Sequence, residues 1–234
     1  VMRGDSSIIA FRIPQRNFKG FMIAAGHSDS PTFRIRETAE VASAGNCIRL
    51  SVEPYGGMIH ATWFDRCLSV AGRICYRDGE TIKSKTVNID EDLLVIPNLA
   101  IHMNREMNKN LCYQPQIDLL PLLGVCENAE QGDVLLEKIA ETTGIEPEKI
   151  LGKDLFLYVR EPGKLAGAKK ELMIAPRLDD QECVYATLMG LIAAKPKEHL
   201  AVYAVLDNEE VGSVTRQGAA ATFLKDTLER IAEG

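Results

Sequence analysis

Three pairs of ionisable side chains follow directly after short apolar segments of this sequence. The pairs are His27 with Asp29, Asp179 with Asp180, and Glu209 with Glu210, and they follow apolar segments at 21–25, 172–175 and 200–206. In an α/β sheet, ligands gather just beyond the carboxyl ends of the strands. The positions of the three pairs therefore predict one shared site at such an edge.

The segments around these pairs predict a sheet with helices packed on it. Apolar runs predict strands at Ile8–Ile13, Phe21–Ala25, Leu172–Ala175 and Leu200–Leu206, and helical spacing predicts helices at Glu182–Ala194 and Thr215–Ala232. A strand, a helix and a strand in succession are typical of an α/β sheet. The predicted fold class is therefore α/β, with a sheet flanked by helices.

The middle of the chain is predicted to be rich in β-strands. Strand-like runs at Ile48–Val52, Leu68–Tyr76 and Thr86–Ile89 are separated by the turn signals Pro54-Tyr-Gly-Gly57 and Asp78-Gly79, which indicate hairpins. A helix at Asp133–Thr143, a strand at Leu155–Val159 and a linker at Gly163–Lys170 follow. We predict a discontinuous domain of residues 1–32 and 168–234, interrupted by a β-rich insert at 33–167.

The net charge and the cysteine content indicate which kind of partner the protein binds and which cellular compartment it occupies. The formal net charge of −6 argues against nucleic acid or a membrane surface and favours a small molecule or a peptide. The six cysteines form no CxxC pair, so neither a disulfide framework nor a thiolate zinc site is indicated. The start of the chain lacks the features of a signal peptide, and we predict a cytoplasmic protein.

The first two pairs each allow a functional and a structural interpretation. His27 is a candidate zinc ligand, and Asp29 would fix the tautomer of its ring from outside the coordination sphere. A histidine at the end of a strand is nevertheless more often a hydrogen-bonded structural residue. Asp179 and Asp180 could supply a carboxylate that bridges two metals, or they could cap the following helix.

The third pair is the most informative one. When two carboxylates are adjacent, as in Glu209 and Glu210, their mutual repulsion raises the pKa of one of them unless a cation lies between them. A dinuclear metal site supplies that cation, and one carboxylate can then bind metal while the other takes a proton from the attacking water. The alternative is an acidic first turn that is favoured by the helix dipole. Three pairs together match the nitrogen and oxygen ligands that zinc prefers.

Five ordered motifs resemble the M18 family of metallopeptidases, the aspartyl aminopeptidases, from about residue 8 to the end of the chain. They are Gly26-His-Ser-Asp-Ser-Pro31, Val52-Glu-Pro-Tyr-Gly-Gly57 with Thr62-Trp-Phe-Asp-Arg66, Ile96-Pro-Asn-Leu-Ala-Ile-His102, Ala175-Pro-Arg-Leu-Asp179 and Asp207-Asn-Glu-Glu-Val-Gly-Ser213. The resemblance implies a two-zinc exopeptidase that removes an N-terminal residue, typically Asp or Glu. It also implies a homo-oligomer of dimers that assemble into dodecamers.

The resemblance also implies a role for each site residue. His27 would bind one zinc and Glu210 the other, Asp179 would bridge both, Glu209 would be the general base, and Asp29 would orient His27. Residues 1–32 and 168–234 would form the catalytic domain, and residues 33–167 would form an interface domain. From there, His102 would reach the active site of a neighbouring subunit, although it could also be a histidine near the start of a helix with no such role.

The sequence departs from the family pattern in three respects. Asp180 stands where the family usually has Asn, and Cys67 stands where it usually has Asp. The family's chain continues past the Glu-Glu motif and supplies there a further zinc-binding Asp and His, so the resemblance implies a chain that is truncated at both ends. Two alternatives stay open: a catalytically incomplete fragment that acts in oligomerisation or binding, and an aminopeptidase with a neutral substrate preference.

Overall fold

The computed structural model describes residues 1–14, 17–109, 112–125 and 133–233. The chain divides into two compact units, the first formed by Val1–Pro31 with Ala168–Gly234 and the second by Thr32–Gly167. These boundaries differ by one residue from the division that the sequence predicts.

The described part of the chain contains strands, α-helices and short 3-10 helices. The strands are β1 (Met2–Arg3), β2 (Ser7–Arg12), β3 (Phe21–His27), β4 (Thr32–Ser43), β5 (Cys47–Tyr55), β6 (Leu68–Asp78), β7 (Thr81–Asn88), β8 (Leu122–Val125), β9 (Ile150–Val159), β10 (Lys164–Ala166), β11 (Leu172–Ile174) and β12 (Leu200–Leu206). The α-helices are α1 (Pro115–Asp118), α2 (Val134–Thr143), α3 (Leu178–Ala193) and α4 (Phe223–Glu233). The 3-10 helices are His60–Trp63, Pro147–Lys149 and Glu209–Val211.

The first unit is built on a four-stranded sheet with the order β1-β2-β12-β3. β12 runs parallel to β3 and antiparallel to β2, and Leu206 at the end of β12 is paired with His27 at the end of β3. Apolar side chains of β2 and β12 bury against α4, where Phe223 is 2% exposed. α3 lies against β3 and β12. The parallel pair therefore brings the residues after β3 and those after β12 to the same edge.

The second unit is a six-stranded antiparallel sheet with the order β7-β6-β9-β4-β5-β8. Its core is a continuous cluster of buried apolar side chains, and Leu135 and Ile139 of α2 are completely buried within it. α2 begins at the N-cap Asp133, whose side chain accepts a hydrogen bond from the backbone N–H of Leu136. The predicted fold class, an α/β domain with a β-rich insert, is confirmed.

Two sequence predictions about individual elements are wrong, and one strand falls outside the predicted segments. The final helix begins at Phe223 and not at Thr215, because residues 215–222 form a chain of turns. β11 does not join the four-stranded sheet of the described residues, and its three residues are all exposed. β4, the longest strand, was not anticipated as an element because its central residues, Glu37 and Thr38, interrupt the apolar pattern.

The structure also bears on membrane association and on the cysteines. Among the described residues, no helix has both the length and the apolar character that a membrane crossing requires. Cys47, Cys67, Cys75, Cys112 and Cys183 are free thiols. The sixth cysteine, Cys126, lies outside the described residues.

Candidate metal centre

The parallel pair of β3 and β12 places His27 beside the segment that carries Glu209 and Glu210. The pairing continues one residue beyond the strands, because the backbone N–H of Ser28 donates to the carbonyl of Leu206 at 2.9 Å. One candidate ligand atom from each of His27, Glu209 and Glu210 lies within 4.8 Å of the others. The structure therefore brings together two of the three pairs at one sheet edge.

Both nitrogens of the His27 ring have partners. Nε2 lies 3.1 Å from Oδ1 of Asp179, and Nδ1 lies 3.0 Å from the backbone oxygen of Asp29 and 3.3 Å from its Oδ1. Burial lowers the pKa of His27, but the hydrogen bond to Asp179 and the contacts with Asp29 outweigh it, so the pKa lies above its ordinary value. Through Asp179, the remaining pair also reaches the site.

Asp29 connects His27 to the Glu-Glu segment. Its side chain is 7% exposed, and its two carboxylate oxygens accept hydrogen bonds from the backbone N–H groups of Glu209 and Glu210, at 3.1 and 3.2 Å. Backbone N–H groups at the start of a helical turn carry partial positive charge, so a carboxylate is stabilised there. One buried side chain thus contacts the imidazole and fixes the backbone from which both glutamates project.

The glutamate pair lies at a turn with restricted backbone geometry. Asn208 adopts the left-handed conformation at φ 63°, and the 3-10 helix of Glu209–Val211 follows directly. Burial raises the pKa of Glu210, and the charge of Glu209 adds to the increase, although His27 opposes it. Both glutamates lie in the first turn of this short 3-10 helix, so the alternative of an acidic first turn stays open beside the metal-binding interpretation.

The donor set fits a zinc centre. Candidate ligand atoms of His27, Glu209 and Glu210 lie close together, and the Asp179 carboxylate contacts His27 Nε2; zinc binds such nitrogen and oxygen donors. The Asp179 side chain is 88% exposed and is held by His27 Nε2, the atom that would itself bind a metal. A cation in this position would relieve the repulsion among the carboxylates.

Asp180 has a structural role that the sequence did not indicate. Its Oδ2 accepts a hydrogen bond from the backbone N–H of His27 at 3.1 Å. A Cβ atom on Gly26 would lie 2.6 Å from the same oxygen, so a side chain at that position would displace the Asp180 carboxylate. The capping alternative is not supported for Asp179 or Asp180, because among the described residues neither carboxylate accepts a hydrogen bond from a backbone N–H of α3; both carboxylates contact His27 instead. The glycine that precedes His27 is the signal that could have suggested this contact.

His102 lies in the second unit, away from any described helix. It is exposed and belongs to a turn at residues 101–103, after β7 and before α1. The alternative of a histidine near the start of a helix is therefore wrong. Its role at a neighbouring subunit's site stays a prediction.

The loop after the glutamates is closed by a set of internal hydrogen bonds. The Thr215 hydroxyl donates to Oδ1 of Asn208 at 2.7 Å, and the backbone N–H of Ser213 donates to the Asn208 carbonyl at 2.8 Å. Gly218 packs directly on this loop, where an added Cβ would lie 2.2 Å from the Ser213 carbonyl oxygen. The loop thus depends on a glycine that follows it in the chain of turns before α4.

We expect Gly218→Ala to destabilise the protein by about 1–3 kcal/mol, because the methyl group forces the backbone of Ser213 to move. The measurement is the free energy of unfolding in urea, together with zinc affinity, which should also fall if the glutamates shift. The matched control is Gly190→Ala in α3, where an added Cβ meets no atom within 4 Å. That control should gain about 0.5–1 kcal/mol, and equal effects of the two substitutions would contradict the prediction.

The fold and the donor set together describe an α/β protein with a candidate histidine–carboxylate metal site at the ends of two parallel strands. Comparison with known families gives a more specific assignment. The model of the family described as Aminopeptidase I zinc metalloprotease (M18) matches residues 1–234, and the chain belongs to this family.

Individual relatives agree with this assignment. The chain is 46% identical over 236 residues to a protein of Clostridium acetobutylicum named "Probable M18 family aminopeptidase 2", with 99% of this chain and 54% of the relative covered. The structure of Chaetomium thermophilum mApe1 is similar with a TM-score of 0.88 and 32% identity, over 99% of this chain and 56% of the other. The S. cerevisiae mApe1 dodecamer gives a TM-score of 0.82 and 27% identity, over 99% and 54%. The chain therefore spans about half the length of the relatives it matches.

Proposed function

We propose that the complete protein is an aminopeptidase that uses two zinc ions to remove the N-terminal residue of peptides, preferably Asp or Glu. The observation that carries the proposal is the approach of candidate ligand atoms of His27, Glu209 and Glu210 to within 4.8 Å of one another. The family description supports a zinc-dependent peptidase. The activity is assigned to the complete protein because this chain covers only 54% of a relative such as that of C. acetobutylicum.

The metal ligands in this proposal are His27, Asp179 and Glu210. His27 and Glu210 would each bind a different zinc, and Asp179, whose Oδ1 lies 3.1 Å from His27 Nε2, would bridge the two. When bound, zinc supplies Lewis-acid chemistry that polarises the scissile carbonyl and makes water nucleophilic near neutral pH. The remaining ligands would come from parts of the complete protein that this chain does not include.

Glu209 is the proposed general base. Its carboxylate accepts a proton from the attacking water and then donates it to the leaving amine. The residue suits this role because its backbone N–H is fixed by Asp29 while its side chain lies beside His27 and Glu210. Asp29 also holds Nδ1 of His27, so that Nε2 is directed towards Asp179.

The second unit is proposed as an interface domain for a homo-oligomer built from dimers, up to a dodecamer. The S. cerevisiae mApe1 structure, which is described as a dodecamer, supports this assembly. In such an assembly, His102 would act at a neighbouring subunit's site. Peptides are the proposed substrates, and the cytoplasm is the proposed compartment.

The deciding experiment compares chromogenic amides of Asp, Glu and Leu as substrates, with and without a chelator. It uses this chain and, in parallel, the polypeptide extended to the length of its M18 relatives, and zinc content is measured in both. We expect the longer polypeptide to hold two zinc ions and to release Asp or Glu in a chelator-sensitive reaction. A preference for Leu would replace the proposed specificity with a neutral one.

Absence of both zinc and hydrolysis in the longer polypeptide would contradict the proposal and favour a role in oligomerisation or binding. Hydrolysis that resists the chelator would contradict the metal-dependent mechanism. Light scattering on the same samples reports the assembly state independently of activity.

A further inference from the structure

A cleft in the second unit combines a cation, a carboxylate and an apolar wall. Its volume is about 160 Å³. Arg49 and Asp118 line it, and Leu99, Met107 and Ile117 form its apolar side. All of these residues belong to the unit of Thr32–Gly167 and none to the metal centre.

Arg49 is a cation that has no ion-pair partner among the described residues. It lies on β5 between Ile48 and Leu50, which are 6% and 0% exposed, so the alternation of the strand directs it to the opposite face. Its Nε is buried without a hydrogen-bond partner, and Arg49 forms no ion pair with any residue that the structure describes. A guanidinium that lines a cleft without a described carboxylate partner favours an occupant that is negatively charged and accepts hydrogen bonds.

Asp118 supplies the opposite charge at a different point of the cleft. It ends α1, and its Oδ2 accepts a hydrogen bond from the backbone N–H of Gln114 at 2.7 Å, which holds the carboxylate in place. Within the described ranges it forms no ion pair with Arg49, although both line the same cleft. The cleft therefore keeps a positive and a negative group apart.

We propose that this cleft binds a free α-amino acid with an apolar side chain. The α-carboxylate pairs with Arg49, the α-ammonium pairs with Asp118, and the side chain packs against Leu99, Met107 and Ile117. A simple anion would be repelled by Asp118 and a simple cation by Arg49, whereas a zwitterion satisfies both groups. The cleft's small volume suits a ligand of this size.

The proposed binding site is argued only from the features of the cleft. A regulatory role for this site would rest on the proposed function. Because the proposed enzyme preferentially releases Asp or Glu, an apolar amino acid bound in this cleft would act as an effector that differs from its preferred product. Binding is measured without turnover, and a failed activity assay therefore leaves this proposal intact, while failed binding leaves the proposed function intact.

The test is calorimetric titration of the protein with leucine, leucinamide and N-acetyl-leucine. We expect saturable binding of leucine and binding that is weaker by about 10- to 100-fold for each analogue, because each lacks one charged group. Trp63 is the only tryptophan of the chain and precedes Phe64, which lines the cleft, so its fluorescence gives a second readout. No saturable binding of leucine, or equal binding of all three ligands, would overturn the proposal.

The matched variants are Arg49→Gln and Asp118→Asn, with Arg36→Gln as control. Arg36 lies on β4, is paired with Glu53 and is not part of the cleft, so its replacement should leave leucine binding unchanged. Both cleft variants should weaken leucine binding by about tenfold or more. Wild-type affinity in either variant overturns the assigned contacts. If Arg49→Gln fails to fold, Arg49→Lys and the analogue comparison on the unaltered protein decide the question.

Discussion

Glu209→Gln is expected to lower the turnover number of peptide hydrolysis by about 10²- to 10⁴-fold, the usual contribution of a general acid–base group. Glutamine keeps the shape and one carbonyl oxygen, but it cannot accept a proton near neutral pH. Its backbone N–H can still donate to Asp29, so the neighbouring Glu210 should stay in place. The measurement is kcat on an Asp or Glu amide, with the zinc content determined on the same sample.

The control for this prediction is Glu229→Gln. Glu229 lies on α4, where it is exposed and paired with Lys225 at 3.7 Å, so its replacement removes the same charge without touching the site. Unchanged kcat in Glu209→Gln would contradict its role as base. Loss of zinc together with activity would identify Glu209 as a ligand, which is also inconsistent with the prediction.

Asp29→Asn is expected to weaken zinc binding by about 10- to 100-fold, the range typical of residues that support metal ligands from outside the coordination sphere. Aspartate offers acceptor oxygens to the backbone N–H groups of both Glu209 and Glu210, whereas asparagine presents an NH₂ group to one of them. It also removes the negative charge beside Nδ1 of His27. The affinity is measured by competition with a chromophoric chelator.

Asp226→Asn is the control for the second prediction. Asp226 lies in the first turn of α4 and accepts a hydrogen bond from the Thr222 hydroxyl at 2.7 Å, outside the metal centre. Its replacement should leave zinc affinity unchanged. Equal affinities of Asp29→Asn and the unaltered protein would show that the carboxylate does not support the ligands.

Most of the strands and the position of the site could be predicted from the sequence because they rest on local patterns. Leu200–Leu206 is an unbroken apolar run with buried residues on both faces, and the structure has a strand over those same residues. His27 and Glu209 could be placed at one edge because each follows such a strand. The role assignments of these residues stay predictions, since a constellation of ligand atoms does not by itself identify a reaction.

The remaining features depend on contacts between particular residues, some of them far apart in sequence, that local periodicity does not encode. The helical spacing around Ala219 suggested that the last helix starts near Thr215, but Ala219 is exposed and the neighbouring Gly218 packs against Ser213. The contact of Asp180 with the His27 backbone joins residues that are 153 positions apart. Single-sequence patterns do not contain such information, and β11 was misplaced in the sheet for the same reason.

Asp29 binds the backbone N–H groups of residues 209 and 210. The position of this segment therefore does not depend on the two side chains that it carries. A bond to a backbone N–H survives almost any substitution at that position. Residues 209 and 210 can therefore be exchanged for other side chains while the segment keeps its location beside His27. The same framework could thus accept a different ligand set, and with it another metal, without redesign of the surrounding fold.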